Sequence, residues 1–281
     1  MTPTAQSLIL DMLSTLRGQA MPVSALVDVA EVFGISENNL RVALARLVSR
    51  GLVERSDRGW YGIAEAARAV QSHITSWSDL ERRIVKWRGD WIAVHTAGLP
   101  KLRGSAARRR QRALDFLGFR ELHAGLLLRP ANLPGGVDGV RERLHALGLD
   151  PSAPVFRIDS FDAPTDATAR ALWNIGEIRA GYRTTMQRLE RSGRRLANQP
   201  IKKTMVECFE LGGAALRQMA FDPLLPEPLI PSATRRAFVD AVRRYDKLGW
   251  TFWNRFMRER GTSLLDSPLK IRFIDTARTA P

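Results

Sequence analysis

The sequence predicts an α+β chain of several domains, and three patterns lead to that prediction. Apolar residues recur with helical spacing in short segments over residues 1–64. Strand-like and helix-like stretches alternate over residues 90–164, and helical spacing dominates residues 165–281. At 281 residues, the chain is long enough for two or three domains. We therefore predict domains at 1–64, 90–164 and 165–281, with a helical linker at 65–89.

Three short helices are predicted at the N-terminal end. The first covers about Thr4 to Leu16, and the second begins at Pro22. A turn at residues 34–36 leads to the third helix, which Ser36 caps and Gly51 ends. The predicted buried face of the third helix consists of Leu40, Ala43, Leu44, Leu47 and Val48. This arrangement of the second and third helices is that of a helix-turn-helix.

A hairpin is predicted directly after these helices. Two apolar runs, at residues 52–53 and 60–63, flank the polar turn at residues 56–59. A helix-turn-helix followed by such a hairpin is the winged-helix arrangement. In that arrangement the exposed face of the third helix lies in the DNA major groove, and the wing reaches the backbone or the minor groove.

The exposed face of the third helix and the wing carry side chains suited to DNA. Asparagine pairs with adenine and arginine with guanine through two hydrogen bonds each. The candidate DNA contacts are Ser36, Asn38, Asn39, Arg41, Ala45, Arg46, Ser49, Arg55 and Arg58. Arg41 and Arg46 lie on different edges of the helix, so at least one can hold a phosphate. The alternative is a solvated helix face in another kind of helical domain.

The central segment predicts a small ferredoxin-like unit. Its pattern is strand WIAVHTAG, helix SAARRRQRALDFLGF, strand or hairpin RELHAGLLLRP, helix VDGVRERLHALG and strand VFRIDSF. Four arginines lie on the first of these helices, namely Arg108, Arg109, Arg110 and Arg112. They form either a solvated helix face or a phosphate-facing strip.

The last segment predicts three long helical stretches, ARALWNIGEIRAGYRTTMQRLER, PIKKTMVECFELGGAALRQMA and PSATRRAFVDAVRRYDKLGWTFWNRFMRER. Between the second and third stretches, FDPLLPEPLIP contains four prolines, which cannot continue a helix. We therefore predict an ordered, extended connector at residues 221–231.

The formal net charge of +14 indicates an anionic partner. Residues 1–64 carry 6 basic and 6 acidic side chains, whereas residues 166–281 carry 21 and 12. The C-terminal part must therefore either meet phosphates itself or hold a separate anionic ligand.

The same sequence predicts a cytoplasmic protein. No apolar run approaches the ~18 residues of a membrane span, and the N-terminus lacks the basic start and cleavage site of a signal peptide. The single cysteine, Cys208, excludes an internal disulfide and fits a reducing compartment.

Motifs that carry catalysis are missing. The four histidines are far apart and have no Cys or carboxylate at metal-ligand spacing, and no Walker, GxGxxG or GxSxG motif occurs. The Gly135-Gly136 pair can present amides to a phosphate, but it is more typical of a turn. We expect no enzyme activity, no catalytic residues, no metal and no cofactor.

Several motifs, in order along the chain, resemble the PaaX-type transcriptional repressors of phenylacetate catabolism. They are NNLRVALARLVSRGLV, with the pattern R-x-A-L-x-R-L…G; WRGDWIAV; GLLLRPANL; LWNIGEIRAGY; and FDPLLPEPLIP. The wing departs from the family, because it is short and has Trp60 before Tyr61.

The resemblance implies a winged-helix domain, a central Cas2-like ferredoxin-like unit and a helical C-terminal domain. It also implies a homodimer that binds a palindromic double-stranded DNA operator and is released by an aryl-CoA or acyl-CoA thioester such as phenylacetyl-CoA. An aryl group needs an aromatic pocket, and CoA phosphates need arginine or lysine. The candidate effector contacts are Trp173, Arg179, Tyr182 and Arg183. In the alternative, Trp173 and Tyr182 are core residues.

Two other functions remain open. A Cas2-like metal-dependent nuclease uses an acidic residue at the end of its first strand, whereas that strand ends here in His95 and Thr96. An enzyme acting on a CoA ester needs an acid/base pair, and none is evident. A mobility shift on the upstream region of the chain's own operon discriminates between these functions and a repressor.

Overall fold

The structure is a computed structural model that describes residues 3–15, 20–56, 59–65, 84–100, 102–227 and 229–260. The chain divides into two compact units built from segments that are distant in sequence. Unit 1 comprises Met1–Ser72, Arg195–Gly213 and Asp246–Pro281, and unit 2 comprises His73–Arg194 and Ala214–Tyr245, in each case as far as these ranges are described.

Unit 1 begins with the elements predicted for the N-terminal end. They are α1 (Ala5–Thr15), β1 (Met21–Pro22), α2 (Val23–Val32), α3 (Glu37–Ser49), β2 (Val53–Arg55) and β3 (Trp60–Ile63). The strands form an antiparallel sheet in the order β1-β3-β2, with Val53 opposite Ile63 and Met21 opposite Tyr61. The helix-turn-helix and the hairpin after it are therefore confirmed. The predicted linker at 65–89 lies mostly outside the described residues.

The hydrophobic core of unit 1 also draws on the C-terminal helices α8 (Ile201–Ala220) and α9 (Ser232–Glu259). Met205, Phe256 and Met257 are at most 1% exposed and belong to the same cluster as the buried residues of α1, α2 and α3. The segment 1–64 is therefore only part of the unit that buries its apolar faces. The division into four segments stays a prediction.

The sheet of unit 2 follows the predicted alternation of strands and helices. Its elements are β4 (Trp91–His95), α4 (Gly104–Phe116), β5 (Arg120–His123), β6 (Leu126–Pro130), α5 (Gly136–Leu147) and β7 (Val155–Ile158). The strand order is β5-β6-β4-β7, and each neighbouring pair is antiparallel. This is the β-α-β-β-α-β order of the ferredoxin-like motif. A closer likeness to Cas2 stays a prediction.

One face of this sheet is covered by tryptophans. Trp91 of β4 stacks on Trp173 with ring centroids 6.1 Å apart, and Trp87 meets Trp91 edge to face at 5.1 Å. Ala93 and Leu128 belong to the same buried cluster. The aromatic cluster therefore anchors the segment around Trp173 to the sheet.

The first predicted long helix of the C-terminal segment is broken, so the prediction of one continuous helix was wrong there. The structure has α6 (Ala163–Arg170) and α7 (Ile175–Gly193), and a short 3-10 turn, Leu196–Asn198, follows. The Asn174 side chain accepts a hydrogen bond from the Glu177 N–H at 3.0 Å and starts α7 as its N-cap. Asparagine competes with the helix backbone in this way, and the break lets Trp173 enter the core.

The described residues of the proline-rich connector, 221–227 and 229–231, are ordered, as predicted. Leu224, Leu225 and Ile230 are at most 2% exposed. The Asp222 carboxylate accepts the Leu224 N–H at 2.8 Å, and Asn132 donates to the Leu224 carbonyl at 2.6 Å. Buried side chains and hydrogen bonds thus hold this segment without helix or strand.

Among the described residues, no helix combines the length and the apolar run that crossing a membrane requires.

Candidate nucleic-acid interface

A turn and a cap set the start of α3. Gly34 has a φ of +70°, a backbone conformation that glycine adopts readily, and the Ile35 N–H bonds the Ala30 carbonyl at 2.9 Å. The Ser36 hydroxyl accepts the Asn39 N–H at 3.3 Å as the N-cap. These local interactions direct α3 away from α2 in helix-turn-helix fashion.

The buried side of α3 docks on the unit 1 core. Leu40, Ala43, Leu44 and Leu47 are at most 5% exposed. Val48, predicted to share this face, is 38% exposed, so that prediction was wrong. Val48 lies at the margin of the apolar stripe, where the core elements no longer cover the helix.

The predicted DNA contacts of α3 all lie on the surface. The exposed residues are Ser36, Asn38, Asn39, Arg41, Ala45, Arg46 and Ser49. The structure thus brings amide, guanidinium and hydroxyl groups together on the side of α3 that faces away from the core. Ser36 is limited as a base contact, since its hydroxyl oxygen already caps the helix.

Val42 belongs to the same surface and was missed from sequence. Its side chain is 43% exposed and lies one turn after Asn38 and one turn before Arg46. An apolar group at this position is suited to the methyl group of thymine. The sequence did carry a signal for the exposure of Val42. It lies four residues after Asn38 and seven residues before Ser49, and residues at these helical spacings face the same side of the helix.

The two arginines among the predicted DNA contacts of α3 differ in their interactions. Arg41 forms an ion pair with Glu37, with Nη2 2.6 Å from Oε1 and both side chains 55% exposed. Such a solvated pair contributes little to stability. The Arg46 guanidinium has no ion pair or hydrogen bond with another residue in the described part of the chain. Arg46 is therefore the freer cation of the two.

Arg55 is the last residue of β2, the hairpin strand that follows α3 in sequence, and its side chain is exposed. Its guanidinium carbon lies 6.0 Å from the centre of the Tyr61 ring on the neighbouring strand. The turn is closed by hydrogen bonds from Ser56 N to the Trp60 carbonyl, 2.9 Å, and from Gly59 N to the Ser56 carbonyl, 3.1 Å. Arg58 lies outside the described residues, and its predicted wing contact stays a prediction.

Two acidic residues of α2 are balanced by cations from the C-terminal part of the chain. Lys202 contacts Glu31 at 3.0 Å, and its hydrogen bond lowers the pKa of the Glu31 carboxyl below its usual value. Arg260 lies 3.5 Å from Asp28. The neutrality counted for residues 1–64 therefore does not describe unit 1, because basic residues distant in sequence offset these acids.

The predicted effector residues lie in two different environments. Trp173 is 4% exposed and donates its indole N–H to the Gly118 carbonyl at 3.1 Å. Tyr182 is 1% exposed, and its hydroxyl donates a hydrogen bond to the Asp222 carboxylate. Its ring stacks on Phe238 with ring centroids 4.8 Å apart. Burial raises the pKa of the Tyr182 hydroxyl above its usual value. Trp173 and Tyr182 are therefore core residues, which is the alternative to effector contacts that the sequence left open.

Arg179 and Arg183 are exposed on α7, one helical turn apart. The structure therefore does not bring the four predicted effector residues together at one surface. The arginines alone are available to an anion.

A cavity of about 200 Å³ in unit 2 lies at the start of α5. It is lined by Asp90, Gly135, Gly136 and Arg157, among others. Arg157 is paired with Asp90 at 3.0 Å and with Asp159 at 2.8 Å. A drug-sized ligand needs roughly 300–1,000 Å³, so this cavity is too small for a CoA thioester.

Strand β4 ends at His95, as the sequence predicted for the position where a nuclease of the Cas2 type would need a carboxylate. In the part of the chain that the structure describes, no group of three or more His, Cys, Asp or Glu residues could hold a metal ion.

Comparison with known proteins gives two family matches and a structural relative. A family model described as PaaX-like protein matches residues 4–67, and one described as PaaX-like protein C-terminal domain matches residues 173–255. Together they cover more than half of the 281 residues. The first match includes every predicted DNA contact, and the second includes α7 and the proline-rich connector.

A solved structure described as uncharacterized protein Rv0674 from Mycobacterium tuberculosis is similar, with a TM-score of 0.54 and 23% sequence identity. The similarity covers 89% of this chain and 98% of that one. It shows a shared fold. No curated protein matches the chain.

Proposed function

Because the chain belongs to the PaaX-like protein family, we propose that it is a sequence-specific DNA-binding transcriptional regulator in the cytoplasm. In this proposal it represses an operon for the catabolism of aromatic or acyl-CoA compounds, such as phenylacetic acid degradation. An aryl-CoA or acyl-CoA effector then releases it from the operator, and the protein itself catalyses no reaction. The observation that carries the proposal is the exposed face of α3 within a helix-turn-helix.

In this proposal α3 enters the major groove. Its 13 residues make a helix of about 20 Å, and the major groove is about 12 Å wide, which admits one helix. The N-terminal residues of a recognition helix contact base edges. Asn38 and Asn39 are therefore the adenine-reading candidates, and Arg46 is the guanine-reading candidate.

Other side chains hold the DNA backbone. Arg41 is anchored at one edge of α3 by Glu37, where a phosphate can replace the carboxylate as its partner. Ser36 and Ser49 are exposed hydroxyl residues near the two ends of α3, and hydroxyls commonly contact phosphates. Ala45 is exposed and small, which allows α3 to approach the groove closely. Arg55 and Arg58 contact the backbone from the wing.

A homodimer follows from the limited reach of one winged helix. A single recognition helix reads a short half-site, and dimers of such proteins bind half-sites about 34–36 Å apart. A palindromic operator matches the two-fold symmetry of two identical chains. The second copy also doubles the number of cations that meet phosphates.

The effector is expected to be held first by its phosphates. Arg179 and Arg183 project from the same side of α7 and are exposed, so that they can bind the anionic groups of CoA. Trp173 and Tyr182 contact the aryl group only if their buried surroundings rearrange. The basic excess of residues 166–281 supports an anionic ligand there.

A mobility-shift experiment tests the proposal. The probe is the DNA upstream of the operon that encodes the chain, with unrelated duplex DNA of equal length as competitor, at physiological salt. We expect a complex that resists the competitor and dissociates on addition of phenylacetyl-CoA but not of free CoA or phenylacetate. A complex without sequence preference would refute the regulator. Metal-dependent cleavage of the probe would instead favour a nuclease.

A paired variant tests the effector contacts separately. Arg179→Ala combined with Arg183→Ala should bind the same DNA with unchanged affinity and resist release by the thioester. Release at the wild-type thioester concentration would remove these two residues from the proposal and leave DNA binding untouched.

A further inference from the structure

We propose that an arginine strip on α4 binds the phosphate backbone of double-stranded DNA without reading its sequence. The strip consists of Arg103, Arg108, Arg109 and Arg112. This inference rests on the proposed function, because it gives a DNA-binding regulator a second DNA-contacting surface that belongs to unit 2.

Helical spacing places Arg108 and Arg112 on the same exposed side of α4. Ala113 and Leu114 are buried and fix which side of the helix faces the protein. Arg108 and Arg112 are four residues apart, so their Cβ atoms lie about 5–6 Å from each other on the opposite side. Arg109 flanks them, and Arg103 precedes the first residue of the helix. All four side chains are exposed.

Within the described ranges, no carboxylate neutralises the strip. None of its four arginines forms an ion pair with another residue that the structure describes. Asp115, the acidic residue of α4, is engaged by Gln111 at 3.2 Å and by Arg120 at 3.6 Å. Arg110 is different, because it donates to the Pro100 carbonyl at 3.4 Å, and it is therefore not part of the strip.

Folding does not account for this concentration of charge. Like charges one turn apart destabilise a helix, and cations near its N-terminus oppose the helix dipole. Arg108 and Arg112 carry the first disadvantage and Arg103, the N-cap residue, carries the second, and the first turn of α4 has no acidic residue to offset it. A polyanion bound along α4 removes both.

Arg109 is also held in place. Gly148 has a φ of +103°, and a Cβ built on it would lie 2.6 Å from the Arg109 Cδ. The aliphatic stem of Arg109 therefore packs directly on the glycine backbone. A side chain that is already positioned loses less conformational entropy when it binds a phosphate.

The shape of the strip favours DNA over a small anion. Small ligands are enclosed by concave pockets, whereas the strip lies along the exposed side of a helix. The cavity at the start of α5 has other lining residues, including Asp90 and Arg157. Cations repeated along a line instead match a polymer whose phosphates repeat along a line.

The test measures the salt dependence of DNA binding by the full chain. Fluorescein-labelled duplexes, one of random sequence and one from the upstream region, are titrated at several salt concentrations. In the triple variant Arg108→Gln, Arg109→Gln, Arg112→Gln, the slope of log K against log salt should shrink by about 1 for each arginine that meets a phosphate. The corresponding Arg→Lys triple variant should keep most of the slope.

A matched control removes the same charge elsewhere in unit 2. Arg188→Gln, Arg191→Gln and Arg194→Gln replace three exposed arginines in α7 and at its C-cap and should leave the slope unchanged. An unchanged slope in the α4 variant overturns the proposal, and so does an equal loss in the α7 variant. If the wild-type chain binds neither duplex, the proposed function itself fails, which separates that result from failure of the strip alone.

Discussion

The aromatic rings of Phe33 in α2 and Phe209 in α8 meet edge to face, with centroids 5.0 Å apart and ring planes at 67°. The pair joins the helix-turn-helix to a helix encoded far downstream. We predict that Phe209→Ala lowers the free energy of unfolding by about 2–4 kcal/mol, because it opens a cavity and removes an aromatic contact. Thermal unfolding of the full chain measures this change.

Lys203→Ala on the exposed side of α8 is the matched control and should leave the melting temperature nearly unchanged. If Phe209→Ala melts like the wild type, the C-terminal helices do not support the core of unit 1.

A second prediction concerns base reading by α3. Asn39→Ala and Arg46→Ala should each weaken operator binding by about 1–3 kcal/mol and relax the preference at particular base pairs. Binding of each variant to a set of operators with single base-pair changes locates those positions. A loss of equal size on every operator would reassign that residue to the backbone.

A third prediction concerns the wing, whose variants should weaken DNA binding without regard to sequence. Arg55→Gln should weaken binding to operator and random duplexes alike and reduce the salt slope by about 1, since it removes one phosphate contact. The same result is expected for Arg58→Gln. Losses confined to certain base pairs would contradict a backbone role for the wing.

Val42 offers a test at the level of single methyl groups. We predict that Val42→Ala weakens operator binding by about 1 kcal/mol, because it removes an apolar contact with a thymine methyl. Replacing that thymine by uracil should weaken operator binding by the wild type by a similar amount and hardly change binding by Val42→Ala. A double-mutant cycle of protein and DNA changes detects this coupling.

Val48→Ala provides the control for this cycle, because Val48 is also exposed but lies at the margin of the buried stripe. Additive effects of Val42→Ala and uracil at every thymine of the operator would exclude the methyl contact.

The hydrogen bond from Tyr182 to Asp222 predicts a pH-dependent stability. Tyr182→Phe should lower the free energy of unfolding by about 1–3 kcal/mol at neutral pH, because a buried carboxylate loses a donor. Burial raises the pKa of Tyr182 in the folded state above the value of about 10 in the unfolded chain. The folded state therefore keeps a proton that the unfolded state loses.

The contribution of Tyr182 is thus complete below about pH 10 and declines as the pH rises further. Denaturant unfolding across this range should show a steeper loss of stability in the wild type than in Tyr182→Phe. Parallel curves for the two proteins would show that Tyr182 does not titrate differently on folding.

Much of the local structure was predictable from sequence because caps, turns and apolar spacing act over a few residues. Ser36, Gly34 and Gly51 placed the ends of α2 and α3, and the alternation over residues 90–164 predicted the order of strands and helices in unit 2, with β5 and β6 left open as one strand or a hairpin. The break before α7 was missed, because the capping preference of Asn174 lies within a longer stretch of helical apolar spacing.

Packing between distant segments was beyond prediction. Periodicity identifies the apolar face of α8 or α9 but does not name its partner, so Met205 and Phe256 gave no sign of joining the core of unit 1. The same limit applies to Trp173, because the sequence pattern around an aromatic residue is the same whether its side chain contacts a ligand or packs on a sheet. Its hydrogen bond to Gly118, 55 residues away, assigns it to the core.

The position of Phe256 and Met257 in the unit 1 core has a consequence for protein synthesis. At about 5–20 residues per second, the ribosome delivers these residues roughly 10–40 s after α3. Until then, α3 has left the ribosome without part of the core that supports it. A chain that terminates before Phe256 therefore cannot complete the core of this unit.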